Sequence, residues 1–323
     1  MNCFESLPLN PLLVILGPTA SGKTHLATQF ASRIGGEILS VDSRQVYRGM
    51  NIGTGKDLEE YQVNGKSIPY HLIDIMEAGE KYNVSAFQQD FQRAYAGIVS
   101  KGKVPVACGG TGFYLYALLK NHDYTHIPVD EKQRAELEKM PVEQLLESFK
   151  NLTSSYQNLA DTSTRKRLIR AIEISTYLMQ HPDTGIPLNT ASVQSYSPLV
   201  FGLNPPAEIR RLRISKRLDE RLQDGLVEEV EQLLKSGIDA GDLIYYGLEY
   251  KYVTQYVTGE LAFEEMKKRL ETEIHRFARR QMTFFRKMEK DGIDIHWLDF
   301  NNRDEENISQ ILAAYVRFKD NIV

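Results

Sequence analysis

The chain has 323 residues, 42% of them hydrophobic and 25% charged, which fits a packed globular protein and excludes a mostly disordered, collagenous or repeat-built one. Its 39 lysines and arginines against 43 aspartates and glutamates leave a net charge of −4, so any nucleic acid would have to be gripped by a local basic face rather than by bulk charge. Two cysteines, Cys3 and Cys108, are too few for a disulfide framework or a four-ligand zinc site, and no apolar run approaches the roughly 18 residues of a membrane span. No basic stretch precedes the apolar run Leu12–Leu16, so a cytoplasmic protein with no membrane partner is expected.

In chain order, a strand at Leu12–Leu16, a helix near Thr24–Arg33 and strands at Glu37–Val41 and Val104–Cys108 imply parallel βαβ units. Gly109-Gly110-Thr111-Gly112 stops the last of these strands, and Phe113–Leu119 reads as the start of a helix. Three strand ends then converge on one sheet edge, the edge where open parallel sheets bind ligands. From about Asn121 to Ser197 the strand-like runs give way to charged helical patterns at Asp130–Lys139, Pro141–Lys150 and Thr164–Gln180, closed by a turn-rich loop from Pro182 to Pro187. Leu199–Leu203 returns to the sheet, followed by helices at Pro206–Asp224, Leu226–Lys235 and Phe263–Lys290 and a terminal helix from about Glu305. The expected fold is α/β, a parallel sheet flanked by helices, with residues 1–120 and 198–323 forming the core and 121–197 a small inserted helical domain.

The sharpest local signal is Gly17-Pro18-Thr19-Ala20-Ser21-Gly22-Lys23-Thr24, a G-x-x-x-x-G-K-T loop placed between strand and helix, which makes the expected parallel sheet P-loop NTPase-like. Backbone N–H groups and the helix N-terminus hold phosphate oxygens in such a loop, Lys23 adds a point charge, and the Thr24 hydroxyl is a ligand for Mg²⁺. The motif alone leaves open whether the phosphates belong to ATP, another nucleotide or a small pyrophosphate. Many P-loop ATPases end a strand in an acid that serves magnesium and water. Here Val104–Cys108 ends in glycines, and the nearest strand-end acid is Asp42, followed by Ser43, Arg44 and Gln45. An acid there faces a group bound across from the phosphates, as expected when the nucleophile is not water; a helix cap or an ion-pair partner is the alternative.

Several motifs in one order resemble the tRNA dimethylallyltransferases, or isopentenyl-pyrophosphate transferases. They are the P-loop, Asp42-Ser43-Arg44-Gln45-Val46-Tyr47-Arg48-Gly49-Met50, Ile52-Gly53-Thr54, His71-Leu72-Ile73-Asp74, Gly109-Gly110-Thr111-Gly112-Phe113-Tyr114, Lys166–Glu173 and Arg279-Arg280-Gln281-Met282. The resemblance implies transfer of a five-carbon prenyl group from dimethylallyl pyrophosphate to N6 of the adenosine beside a tRNA anticodon, with Mg²⁺ as cofactor. It makes Asp42, Thr111, Lys23 and Arg217 catalytic: Asp42 orients the amine and takes its proton, Thr111 bonds near the donor's bridging oxygen, and Lys23 and Arg217 meet the growing charge of the leaving group. It places tRNA on Asp42, Ser43, Arg44, Gln45, Thr111, Arg134, Lys166, Arg167, Arg170 and the stretch near Ile244–Glu249, Gly247 included.

From the residues themselves, Arg134 stands open between a phosphate ligand and a solvated helix charge, and Arg167 with Arg170 shares one helix face suited to phosphate. The helix Phe263–Lys290 interleaves Lys267, Lys268, Arg269, Arg276, Arg279, Arg280, Arg286 and Lys287 with Phe277, Phe284 and Phe285, a pattern fitting either RNA or a buried aromatic stripe. His71 and His122 read as structural or solvated. Pro69-Tyr70-His71, Ala160–Arg165 and Gly247-Leu248-Glu249-Tyr250-Lys251 depart from the family pattern, all on segments assigned to the RNA side. Competing readings are prenylation of free AMP, ADP or ATP, a small-molecule P-loop kinase, and a nucleotide-gated RNA-binding module without catalysis. A monomer is expected.

Overall fold

The computed structural model describes residues 10–120, 124, 127–157, 160–182 and 196–320. Cys3, His122 and residues 183–187 of the expected turn lie outside the described residues. The chain divides into two compact units, residues 1–120 with 195–323, and residues 121–194.

The first unit begins with β1 (Asn10–Leu16), α1 (Lys23–Ile34), β2 (Glu37–Val41), a small antiparallel hairpin of β3 (Gln62–Val63) and β4 (Lys66–Ser67), β5 (Tyr70–His71), α2 (Val84–Ser100), β6 (Pro105–Gly109) and α3 (Gly112–Leu119). The second unit contributes α4 (Glu131–Leu137), α5 (Val142–Asn151) and α6 (Arg165–Gln180). The first resumes with β7 (Tyr196–Leu203), α7 (Ala207–Gln223), α8 (Leu226–Lys235), α9 (Ala240–Tyr245), α10 (Leu248–Val257), α11 (Phe263–Lys290), β8 (Ile295–Leu298) and α12 (Asp304–Asp320).

Six of the strands form one sheet in the order β5-β2-β6-β1-β7-β8, every pair parallel. A parallel sheet is covered on both faces, which is why β1, β2 and β6 are almost continuously apolar. Alternation along β1 sorts the two cores. Leu12, Val14 and Leu16 pack with residues of α2, α3 and α7 to α11, whereas Leu13 and Ile15 pack with α1 and α12. The chain therefore leaves β1 into a helix on one face and leaves the adjacent β6 into a helix on the other. This divergence opens a crevice at the carboxyl ends of two neighbouring strands, where Leu16 pairs with Gly109 and Gly109 with Val41.

β7 begins at Tyr196 rather than Leu199 because Tyr196 and Ser197 pair with Asn10 and Pro11 of β1. β5, α2, α9, α10 and β8 have no counterpart in the sequence reading. α2 presents Phe87, Phe91, Tyr95 and Ile98 at helical spacing, but its aromatic and β-branched content mimics a strand.

The second unit packs α4, α5 and α6 around Leu137, Leu145, Phe149, Leu168, Ile169 and Ile172. Asp130 caps α4 and Thr164 caps α6. Glu173, only 2% exposed, accepts a bidentate pair from Arg134, Nε to Oε1 and Nη2 to Oε2, both at 2.7 Å. Arg170 completes the cluster, donating to Glu173 Oε2 at 3.2 Å and to the Ile127 carbonyl at 2.6 Å. Arg134 is thus no solvated helix charge. Removing one partner of a buried pair leaves a carboxylate undercompensated, so Arg134→Ala is expected to destabilise this unit by roughly 3 kcal/mol. Hydrogen exchange of the α6 amides measures this, and unchanged protection would contradict it.

Candidate active site

The P-loop follows from its backbone. Gly22 sits at φ 86, left-handed, and α1 starts immediately after it with no side-chain cap and no acid in its first turn. Its leading N–H groups are therefore left for an anion. The Ser21 hydroxyl is buried with no hydrogen-bond partner, an orphaned donor in the cradle that a phosphate oxygen satisfies. Lys23 folds back onto the Pro18 carbonyl at 3.4 Å. Desolvation in the cavity wall holds its pKa below the ordinary lysine value, an effect opposed by Asp42 and reinforced by Arg217. Beside it, burial pushes the Cys108 thiol up to about 12, so this cysteine is inert packing.

Across the crevice, Asp42 immediately follows β2. Its Oδ1 accepts from Arg44 N at 2.8 Å and Gln45 N at 3.4 Å, so one carboxylate oxygen closes a turn, not the start of a helix as the alternative reading has it, and the other is left for the cavity that Asp42 lines. Thr111 Oγ1 accepts from Ser43 N at 3.2 Å, which ties the glycine-rich turn after β6 to the Asp42 turn and leaves the threonine proton to donate. Gln45 links Ser40 at 2.9 Å to the Gly55 carbonyl at 2.9 Å. Thr111 is the N-terminal flank of α3 and makes no side-chain cap there, so a second uncapped helix end faces the cavity.

The cavity has a volume of about 1480 Å³ and is lined by Thr19 to Thr24, Asp42 to Gln45, Gly110, Thr111, Arg217 and Gly247, bringing together the sequence-predicted phosphate and base-side residues of the first unit. Gly17 and Pro18, the first two residues of the loop, are not among the lining residues. Arg134, Lys166, Arg167 and Arg170 lie in the second unit, where Arg167 pairs with Asp161 at 2.8 Å and bonds Ser163 at 2.9 Å. The aromatic residues of α11 divide: Phe277 and Phe284 line the cavity, whereas Phe285 is fully buried in the core. His71 is structural, its Nε2 lying 2.7 Å from Glu37 Oε2.

Several wall residues are new. Arg213 and Arg221 join Arg217 on one face of α7 at four-residue spacing, all three lining the cavity. Arg217 pairs with Asp57, while Arg221 lies 3.3 Å from Glu249 and 4.0 Å from Asp57. Burial lowers the Arg221 pKa and raises that of Glu249, and the opposite charge of each partner works against the shift of the other. Glu229 of α8 accepts from three successive backbone N–H groups, Asn51 at 2.7 Å, Ile52 at 2.8 Å and Gly53 at 3.0 Å, and from the Tyr250 hydroxyl at 2.7 Å. It fixes the loop that carries Gly55 and Asp57 to the arginines. The repeat of arginines in α7 was a usable signal in the sequence; Glu229 had none.

Thr24, which lines the cavity, is the residue that would hold a metal here; among the described residues no group of three His, Cys, Asp or Glu could hold a metal ion. One protein hydroxyl suits Mg²⁺, which keeps waters and completes its shell with substrate phosphate oxygens.

The family model described as IPP transferase matches residues 45–288, and one described as isopentenyl transferase matches residues 10–69. The chain belongs to the tRNA dimethylallyltransferase family. It is 50% identical over 316 residues to tRNA dimethylallyltransferase 2 of Bacteroides fragilis strain YCH46, covering 97% of this chain and 100% of that one. It is 49% identical to tRNA dimethylallyltransferase 1 of Parabacteroides distasonis, covering 92% and 95%. The solved tRNA isopentenylpyrophosphate transferase of Bacillus halodurans superposes with a TM-score of 0.68 at 30% identity, covering 97% of this chain and 99% of that one. A eukaryotic dimethylallyltransferase acting on tRNA shares the fold, with a TM-score of 0.77 at 23% identity and coverage of 97% and 80%. Family membership makes the chain a prenyltransferase with a P-loop NTPase-like fold.

Proposed function

We propose that this chain transfers a dimethylallyl group from dimethylallyl pyrophosphate to N6 of the adenosine next to a tRNA anticodon, releasing pyrophosphate. The carrying observation is that a phosphate cradle and a strand-end carboxylate face one cavity, with no acid on the strand that would serve water. The allylic C–O bond breaks, an N–C bond forms, and the amine proton passes to Asp42. Negative charge grows on the leaving pyrophosphate, where the α1 N–H groups, Ser21, Lys23 and Arg217 are arranged to meet it, and the Thr111 hydroxyl donates toward the bridging oxygen. Mg²⁺ on Thr24 would add Lewis-acid neutralisation of the same charge when bound. The target base must leave its stack to reach Asp42. Pyrophosphate release measured with tRNA, with AMP and with neither separates this reaction from its free-nucleotide rival; release only with AMP would overturn it.

On the proposed RNA side, ion pairing sorts the basic residues. On α11, Lys267, Arg269, Arg276, Arg280 and Lys287 have acidic partners, whereas exposed Lys268, Arg279 and Arg286 have none among the described residues. Burial and the charges of Arg211, Arg286 and Arg279 lower the pKa of Arg210 on α7, placing four arginines in one positive field. Arg279 and Arg286 are assigned to tRNA phosphates on this ground, whereas exposed Lys166 and Arg167, the latter paired with Asp161, keep the tRNA contact that the family resemblance implies. Arg134 and Arg170 meet phosphate only with the guanidinium edges that Glu173 leaves free. Replacing both Arg279 and Arg286 by serine should flatten the slope of log affinity against log salt by about 1.4–1.8, two phosphate contacts' worth. Arg269→Ser, which removes a charge already paired with Glu265, should leave the slope unchanged; an unaltered slope in the double variant would return those arginines to the solvated surface.

A further inference from the structure

Phe277, Arg280, Gln281 and Phe284 recur at helical spacing on α11, and all four line the cavity. Gln281 differs from the other three in being buried, with both ends of its amide engaged. Its Nε2 donates to the Gly110 carbonyl at 2.8 Å and its Oε1 accepts from Thr19 N at 2.9 Å. Thr19 belongs to the phosphate loop after β1, and Gly110 immediately precedes Thr111 after β6. The ladder between these strands runs only as far as Leu16 and Gly109, beyond which their chains part to opposite faces of the sheet. The amide closes that gap. The junction has no room to spare: a Cβ at Gly110 would stand 2.6 Å from Gln281 Nε2 and 2.9 Å from the Gly17 carbonyl. A primary amide donates and accepts at once, whereas a carboxylate keeps only the acceptor and a thioether offers neither of these strong bonds.

We propose that Gln281 is a positioning residue that sets the separation between the pyrophosphate cradle and the Thr111–Asp42 side of the cavity, and so the line along which prenyl transfer occurs. This role rests on the proposed transfer reaction. The C–O bond breaks between the phosphate loop and Thr111 of the second tethered loop, and the N–C bond forms against Asp42, whose turn Thr111 ties to that loop through Ser43 N. An error in their spacing therefore acts on turnover, whereas the donor's pyrophosphate is still held by α1, Ser21 and Lys23.

The test uses the full chain with tRNA and dimethylallyl pyrophosphate, comparing Gln281→Met and Gln281→Glu with the unaltered protein. For Gln281→Met, kcat is expected to fall about 10- to 100-fold, the scale of an ångström-sized misplacement, with donor KM within about threefold and cooperative melting retained. Gln281→Glu keeps the acceptor for Thr19 N and loses the donor to Gly110, so its kcat should also fall. An unchanged kcat in both variants, or a loss of turnover that only follows the unfolded fraction, would overturn the role of Gln281 alone. Absence of transfer by the unaltered chain would overturn the functional reading and this role with it.

Discussion

Asp42→Asn is expected to cut prenyl transfer to tRNA by at least about a hundredfold while the protein still binds dimethylallyl pyrophosphate. The amide oxygen can keep the turn that Asp42 Oδ1 makes with Arg44 N and Gln45 N, so the fold around the site survives. What disappears is the carboxylate that accepts the amine proton, a contribution of about 10²- to 10⁴-fold for a positioned base. Asp42→Ala should show the same loss plus a loosened turn, because the cap goes with the base. Calorimetry of donor binding beside turnover separates the steps. Donor affinity that collapses in Asp42→Asn would mean that the acid serves the cradle rather than the acceptor.

Lys23→Ala should do the reverse. The residue sits where burial disfavours its charge, and an anion in the loop is what restores it. Deleting a buried partner of a charged ligand costs about 2–5 kcal/mol, or roughly thirtyfold to several thousandfold in affinity. Donor KM should rise by that order while tRNA binding is kept, since the lysine faces the pyrophosphate side. Equilibrium binding of both substrates checks this, and a variant with normal donor affinity would contradict the cradle.

The parts of the site legible in the sequence are those in which neighbours along the chain are also neighbours in space. The G-x-x-x-x-G-K-T loop, the Asp42 turn and the Gly-Gly-Thr-Gly turn each lie within one strand end. α8 and α11 were read with the bounds that the structure shows, because their apolar positions repeat at helical period over whole turns. β5 and β8, two and four residues long, are held by register with longer neighbours and carry too little pattern of their own.

The support of the site was hidden for a different reason. Glu229 reaches a loop 176 to 178 positions away, and Gln281 reaches Thr19 across 262. No local spacing announces such contacts, although both were set by ordinary hydrogen-bond accounting once the helices packed. Glu249 is the instructive case. Its place in a segment that departs from the family order reads as a change on the RNA side, yet in the fold it forms an ion pair with Arg221 beside Arg217. A departure in sequence is here part of the cavity wall.

One cavity is proposed to join a prenyl pyrophosphate to an adenosine held in tRNA. Mass spectrometry of nucleosides from unmodified bulk tRNA, incubated with the protein, dimethylallyl pyrophosphate and Mg²⁺ and with AMP in a parallel tube, tests it most directly. The account predicts a prenylated adenosine in the tRNA digest and none in the AMP tube. Prenylated AMP with unmodified tRNA, or no product in either tube, would contradict it.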